Sequence, residues 1–265
     1  MNWLVTTIFF WAASACAQPA IAPPQVGFEQ DGTGSLRPVY GLAGNFVLGP
    51  SIANQVVSAA FSGSLGLLKT DSSLVAFESQ GNVLASAGAS LFHARGGPAL
   101  FAFSPDGSTA LAFIASSNTL IEWRGGQFTP IPLQPEELGA DTVLAISLPN
   151  AREVCLIIQK TGGIWEVSLP LVRARPYAQR ALIGVTAPLL PLASGGLLYH
   201  DDGGIVLRRA DGSEVHVAAQ LPASFSLQQM DREWVQLTDL ASPARFAIHF
   251  TPDHEGFYQL PESSQ

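Results

Sequence analysis

Charge is scarce in this sequence. Only 13% of its 265 residues are Asp, Glu, Lys or Arg, about half the ~25% usual in a soluble domain. The balance is acidic, 13 basic against 21 acidic side chains for a net charge of −8, and no Lys/Arg cluster occurs anywhere. Nucleic acid binding needs a basic footprint to neutralise phosphates, and an anionic membrane surface asks for the same, so neither partner is expected. Cysteine is nearly absent as well. Cys16 lies in a stretch that reads as a removable leader, which leaves Cys155 alone and rules out an intramolecular disulfide in the mature chain. In Glu153-Val154-Cys155-Leu156-Ile157-Ile158 that cysteine reads as a small core residue. Helical periodicity is missing too, with Pro135-Glu136-Glu137-Leu138-Gly139 offering one turn at most. Also missing are metal-finger spacing, G-x-G-x-x-G, the G-x-x-x-x-G-K-[ST] loop, H-E-x-x-H and G-x-S-x-G. No cofactor or metal is therefore implied, and an enzyme is the less favoured reading.

What the chain does have is apolar residues (47%), with 25 Gly and 19 Pro scattered between short apolar runs. That pattern gives a sizeable core, many turns and few helices. Residues 1–17 read as a secretory signal peptide: the apolar run Trp3–Ala13 precedes Ala15-Cys16-Ala17, small residues suited to cleavage before Gln18. The run is too short to span a bilayer comfortably. Ala13-Ser14-Ala15-Cys16 also fits a lipoprotein box, with Ala13 where Leu is usual, so lipidation of Cys16 stands as the alternative to cleavage after Ala17. The expected location is secreted or periplasmic. Residues 18–25 form a Pro-rich tether, residues 26–261 a single domain and 262–265 a tail.

An internal period organises that domain. Ala60-Phe61-Ser62, Ala102-Phe103-Ser104 and Ala145-Ile146-Ser147 recur at steps of 42 and 43 residues, and Trp123 and Trp165 stand 42 apart. Units of about 42 residues, each read as four short strands, are the signature of propeller blades. The expected fold is an all-β propeller of five or six blades, with six preferred on the strength of a composite blade. Pairing of the N- and C-terminal strands would close the ring and remove exposed sheet edges.

Leu100-Phe101-Ala102-Phe103 leads into Ser104-Pro105-Asp106-Gly107 and out through Leu111-Ala112-Phe113. Over this one blade the chain resembles the FSPDG…LAF core of WD40-like repeats in TolB-type bacterial propellers. Leu36-Arg37-Pro38-Val39-Tyr40-Gly41 is similar to the opening of exported propeller-like proteins of soil bacteria. The resemblance implies an exported propeller that holds other proteins or ligands, and it implies no particular reaction.

In such a ring the turns joining second to third strands share one face and surround a channel mouth. They carry the candidate binding residues Asp71, Asn118, Lys160, His200, Asp201 and Asp239. Asp, Asn and Gly are also what tight turns require, so turn chemistry alone is the competing account. His200-Asp201-Asp202 is the sharpest cluster, able in principle to bind a divalent cation or to act as an oriented base. Trp123, Trp165 and Trp234 read as packing between blades rather than as a stacking platform. Two functions follow: a non-catalytic exported propeller binding a protein or small ligand on its loop-rich face, or a lactonase-like propeller hydrolase, with or without a cation.

Overall fold

A computed structural model describes residues 23–80, 83–133, 142–172 and 175–262. The expected leader, Cys16, most of the tether, the helical turn at 135–139 and most of the tail lie outside these residues. Six antiparallel sheets follow one another along the chain. Blade 1 holds β1 (Gln25–Gln30), β2 (Leu36–Leu42) and β3 (Asn45–Leu48). Blade 2 holds β4 (Val56–Ser62), β5 (Leu65–Thr70), β6 (Ser73–Gln80) and β7 (Val83–His93). Blade 3 holds β8 (Ala99–Phe103), β9 (Thr109–Ile114), β10 (Thr119–Arg124) and β11 (Gln127–Pro132). Blade 4 holds β12 (Thr142–Asn150), β13 (Glu153–Lys160), β14 (Gly163–Pro170) and β15 (Ala178–Ala181). Blade 5 holds β16 (Leu190–Pro191), β17 (Leu197–Asp201), β18 (Gly204–Arg208) and β19 (Glu214–Ala218). Blade 6 holds β20 (Phe225–Gln229), β21 (Trp234–Asp239), β22 (Arg245–His249) and β23 (Gly256–Gln259). The molecule is a six-bladed β-propeller.

The second strand of each full blade explains why the sequence reads as it does. β9, Thr-Ala-Leu-Ala-Phe-Ile, is buried along its whole length. Leu111 and Phe113 pack toward blade 4, while Ala110, Ala112 and Ile114 pack toward blade 2. β13 divides likewise, Val154, Leu156 and Ile158 toward blade 3 and Ile157 toward blade 5. A strand covered on both faces has no polar face to alternate with, hence the continuous apolar run. Each buried Val, Leu, Ile or Phe among them contributes roughly 1.5–3 kcal/mol by leaving water. Cys155 is buried on β13, as its apolar surroundings in sequence suggested. Six apolar clusters fill the six gaps between neighbouring blades, including those on either side of blade 1.

The turn at Ser104–Gly107 forms as its residues dictate. Gly107 sits at φ +70 and donates its N–H to the Ser104 carbonyl at 2.9 Å. Asp106 Oδ1 accepts from the Ser104 hydroxyl at 2.6 Å and from the Ser108 N–H at 3.0 Å. These donors hold the Asp106 carboxyl down at about 2.

The ring closes differently from the expectation. The chain's two ends share no sheet among the described residues: β1 pairs in a ladder only with β2, and β23 only with β22. β1 starts beside the turn before β21, where the Phe28 N–H meets the Met230 carbonyl at 3.3 Å. It ends where Gln30 Nε2 donates to the carbonyl of Val56, the first residue of β4, at 2.8 Å. β1 therefore runs in the sense of the second strands, antiparallel to the first strands, and blade 1 has no described strand in the innermost position. β4 and β20 meet directly in its place. At Gln30 the inner edge of β1, left without a strand neighbour, is satisfied by one side chain. Gln236 of β21 accepts from the Gln30 N–H at 3.0 Å and donates to the Gln30 carbonyl at 2.8 Å. A composite blade fails to form because the C-terminal strand is already the outer edge of blade 6.

The same seam holds a buried ion pair. Arg245 Nη1 donates to Glu29 Oε1 at 2.9 Å, with the two side chains 5% and 0% exposed. Burial pushes the Glu29 carboxyl up to about 7 even though the Arg245 guanidinium pulls it down. Because the folded chain holds this proton more tightly than the unfolded one, the contribution is complete below about pH 4.5 and is lost as pH rises toward 7. Urea unfolding at pH 5 and pH 7.5 is expected to show stability falling with pH by up to about 3 kcal/mol from this group. Glu29→Gln is expected to remove most of that fall, and an unchanged pH slope in the variant would contradict the assignment.

Candidate functional site

The turns between second and third strands and the connections between blades emerge on one face of the ring. Between blades 5 and 6 this face carries a pocket of about 500 Å³ lined by His200, Asp201 and Asp202 on one side and by Ala219–Phe225 on the other. Ala187, Pro188 and Phe225 belong both to this pocket and to a cavity of about 650 Å³ along the ring axis. The pocket is thus a vestibule beside that cavity, the two sharing part of their walls. Strands β4, β8, β12, β16 and β20 supply most of the cavity wall, and Gln30, Asp31 and Gly32 reach it where blade 1 lacks an innermost strand.

His200 is fixed by the elements around it. Its Nε2 lies 2.9 Å from the Ala187 carbonyl, and its ring meets the Phe225 ring edge-on at 5.3 Å. Asp201 Oδ1 accepts the Gly203 N–H at 2.8 Å, closing the turn that Asp-Asp-Gly encodes. Its Oδ2 stands 3.3 Å from His216 Nδ1 on the outer strand β19. No spacing in the chain joins His216 to this cluster; the β18–β19 register does so, with Gly204 opposite Ala218 and Val206 opposite His216. Asp202 is exposed beside them.

The other four candidates stand elsewhere, and none lines the vestibule or the cavity. Asp71 is an exposed turn residue near Lys69, whose own ammonium is buried against the Thr70 and Gly96 carbonyls. Asn118 takes the left-handed conformation, φ +47, that ends the short 3-10 turn Ala115–Ser117. Lys160 turns toward the outer strand of its blade, donating to Gln179 Oε1 at 2.8 Å with its ammonium 5.5 Å from the centre of the Trp165 ring. Asp239 caps its own turn, accepting from the Ala241 N–H at 2.8 Å and from the Ser242 hydroxyl, and these donors hold its carboxyl below the usual range. Trp123 and Trp234 are core residues at blade interfaces, as expected. Trp165, partly buried, packs against the interface of blades 3 and 4. Among the described residues no group of three or more His, Cys, Asp or Glu is arranged to hold a metal ion, and no helix is long and apolar enough to cross a membrane.

No family profile matches the chain, and no curated protein matches it either. At the level of fold it is similar to a chain in the crystal structure of a nidogen/laminin complex. The identity is 12% and the TM-score 0.54, over 91% of this chain and 99% of that one. Hydrazine synthase of Kuenenia stuttgartiensis aligns at 10% identity and TM-score 0.46, covering 89% of this chain and 79% of that one. The Cps50 (Swd1) β-propeller domain of Myceliophteria thermophila aligns at 12% and 0.45, covering 77% and 70%.

The roles of the turn carboxylates separate by substitution. Asp239→Ala is expected to lower Tm, since it removes two turn hydrogen bonds, while Asp202→Ala leaves Tm unchanged. Equal shifts in the two variants would contradict this division.

Proposed function

We propose that the protein is an exported, non-catalytic β-propeller that binds a protein or small ligand on the face carrying the His200–Asp202 turn. The observation that supports this reading best is the vestibule between blades 5 and 6 adjoining an axial cavity. A concave site of this size is the usual form of a ligand pocket. The lack of catalytic and phosphate-binding motifs in the sequence supports the non-catalytic part. Export rests on the apolar run Trp3–Ala13 and the small residues before Gln18, with secretion or a periplasmic location following from it. The resemblance of Phe103–Gly107 to TolB-type repeats points the same way. The chain of similar fold in the nidogen/laminin complex adds a precedent for this fold in a protein assembly.

One observation favours the hydrolase reading: Asp201 Oδ2 stands 3.3 Å from His216 Nδ1, a carboxylate beside an imidazole. Thermal melts separate the readings. The binding role predicts that neither calcium nor EDTA shifts Tm by more than about a degree, and that His200→Ala abolishes no activity on ester or lactone substrates. A calcium-dependent rise in Tm that His200→Ala removes would overturn it.

A further inference from the structure

The outer edges of the blades are not alike. Each sheet ends outward on its last strand, and among the described residues no further strand pairs with it there. Such an edge invites another strand unless a charge or a proline blunts it. On blades 3, 4 and 5 it is blunted: β11 carries Pro130 and Pro132, β15 carries Arg180, and β19 carries Glu214. On the consecutive blades 6, 1 and 2, the outer strands β23, β3 and β7 contain no proline and no Asp, Glu, Lys or Arg. One side of the ring is guarded and the other is open.

Blade 1 stands at the middle of the open side, and its gap from blade 2 stays apolar beyond the core. Leu36 of β2 packs with Phe61 and Leu68 of blade 2. Tyr40 shares that face by alternation, and Val47 of β3 lies directly opposite Tyr40. On blade 2, Leu74 and Ala76 turn toward blade 3, which leaves Val75 facing blade 1. Leu91 of β7 lies directly opposite Val75. Val47 and Leu91 therefore face the same gap from its two sides, yet they remain 60% and 52% exposed. A single exposed apolar side chain is ordinary. Two that face one gap, each beside an unguarded edge, make a surface.

The chemistry of this wall says what fits it. An open ladder is completed only by another extended backbone. A partner chosen by the field of this acidic chain would be basic, and β3 and β7 offer it no carboxylate. A second copy meets both conditions. Its own β3, set antiparallel about a two-fold axis, supplies the missing ladder and brings the two Val47 side chains to one face of a joined sheet. The net charge of −8 on each copy is carried elsewhere than on these strands, so like charges do not meet there. The contact also closes on itself and does not propagate.

We infer that β3 is a dimer edge: two copies of this chain pair blade 1 to blade 1, with Val47 at the centre and Leu91 at the margin. The contact lies on the outer wall, away from the vestibule and the axial cavity, and does not depend on the binding role proposed above.

The test is sedimentation of the full chain across a wide range of concentration, which is expected to show a dimer that dissociates on dilution. Val47→Lys places a charge on the pairing edge and is expected to raise the dimer Kd by about tenfold or more. Leu91→Lys is expected to raise it from the neighbouring blade. Ile183→Lys, at a position 85% exposed on blade 4 across the ring, leaves it unchanged. Under mild oxidation Val47→Cys is expected to give a disulfide-linked dimer, and Ile183→Cys is not. Melting each variant first identifies any that fails to fold, and the remaining variants then decide. A chain that stays monomeric at every concentration overturns the proposal. So does a dimer that the folded Val47 and Leu91 variants leave intact, or one that Ile183→Lys weakens equally.

Discussion

The structure depends on how one strand edge is satisfied. A propeller must leave no open ladder where its last blade meets its first, because an unpaired edge in a chain this apolar would recruit other strands. Here the inner edge of β1 faces no strand. The Gln236 carboxamide takes both backbone groups of Gln30, and the Met230 carbonyl takes the N–H of Phe28. A side-chain amide has the same donor and acceptor as a peptide unit, so it can terminate a ladder without extending it. Gln236 is itself 1% exposed, which keeps water from competing for these bonds.

Two consequences follow from that arrangement. Blade 1 sits against its neighbours through side-chain packing on both faces, with Phe28 against Phe61 on one side and Phe46 against Trp234 on the other. Its missing innermost strand also lets Gln30 and Asp31 join the lining of the axial cavity, beside the polar Ser58, Ser226, Gln228, Gln229 and Thr238. Closure and cavity chemistry are thus two results of the same missing strand. The buried Glu29–Arg245 pair adds a long-range tie across the seam, between residues 216 apart in sequence.

Much of the ring was legible in the sequence, and for a physical reason. Blades repeat the same packing problem, so Phe61, Phe103 and Ile146 recur where the first strands meet their neighbours, and Trp123 and Trp165 recur on third strands. The Pro-Asp-Gly turn was readable because its conformation is local to four residues. The sense of β1 was not readable, since direction is set by which turn the strand starts beside and short apolar runs carry no such mark. One trace of the seam did exist: Gln236 interrupts the apolar run Trp234-Val235-Leu237 at a position where neighbouring blades carry apolar or small residues. The candidate site was legible only in part. His200 and Asp201 line the vestibule, but Asp239 and Asn118 serve their own turns and Lys160 serves its blade's outer strand. The cavity wall gathers residues from five blades and from β1, and no spacing in the chain announces that meeting.

Amide hydrogen exchange at Phe28 and Gln30 tests the closure most directly. If Met230 and Gln236 complete the edge of β1, both amides exchange as slowly as those of the buried strand β21, and Gln236→Ala accelerates Gln30 selectively. Exchange of both at the rate of an open, solvent-facing edge in the unaltered protein would contradict the account.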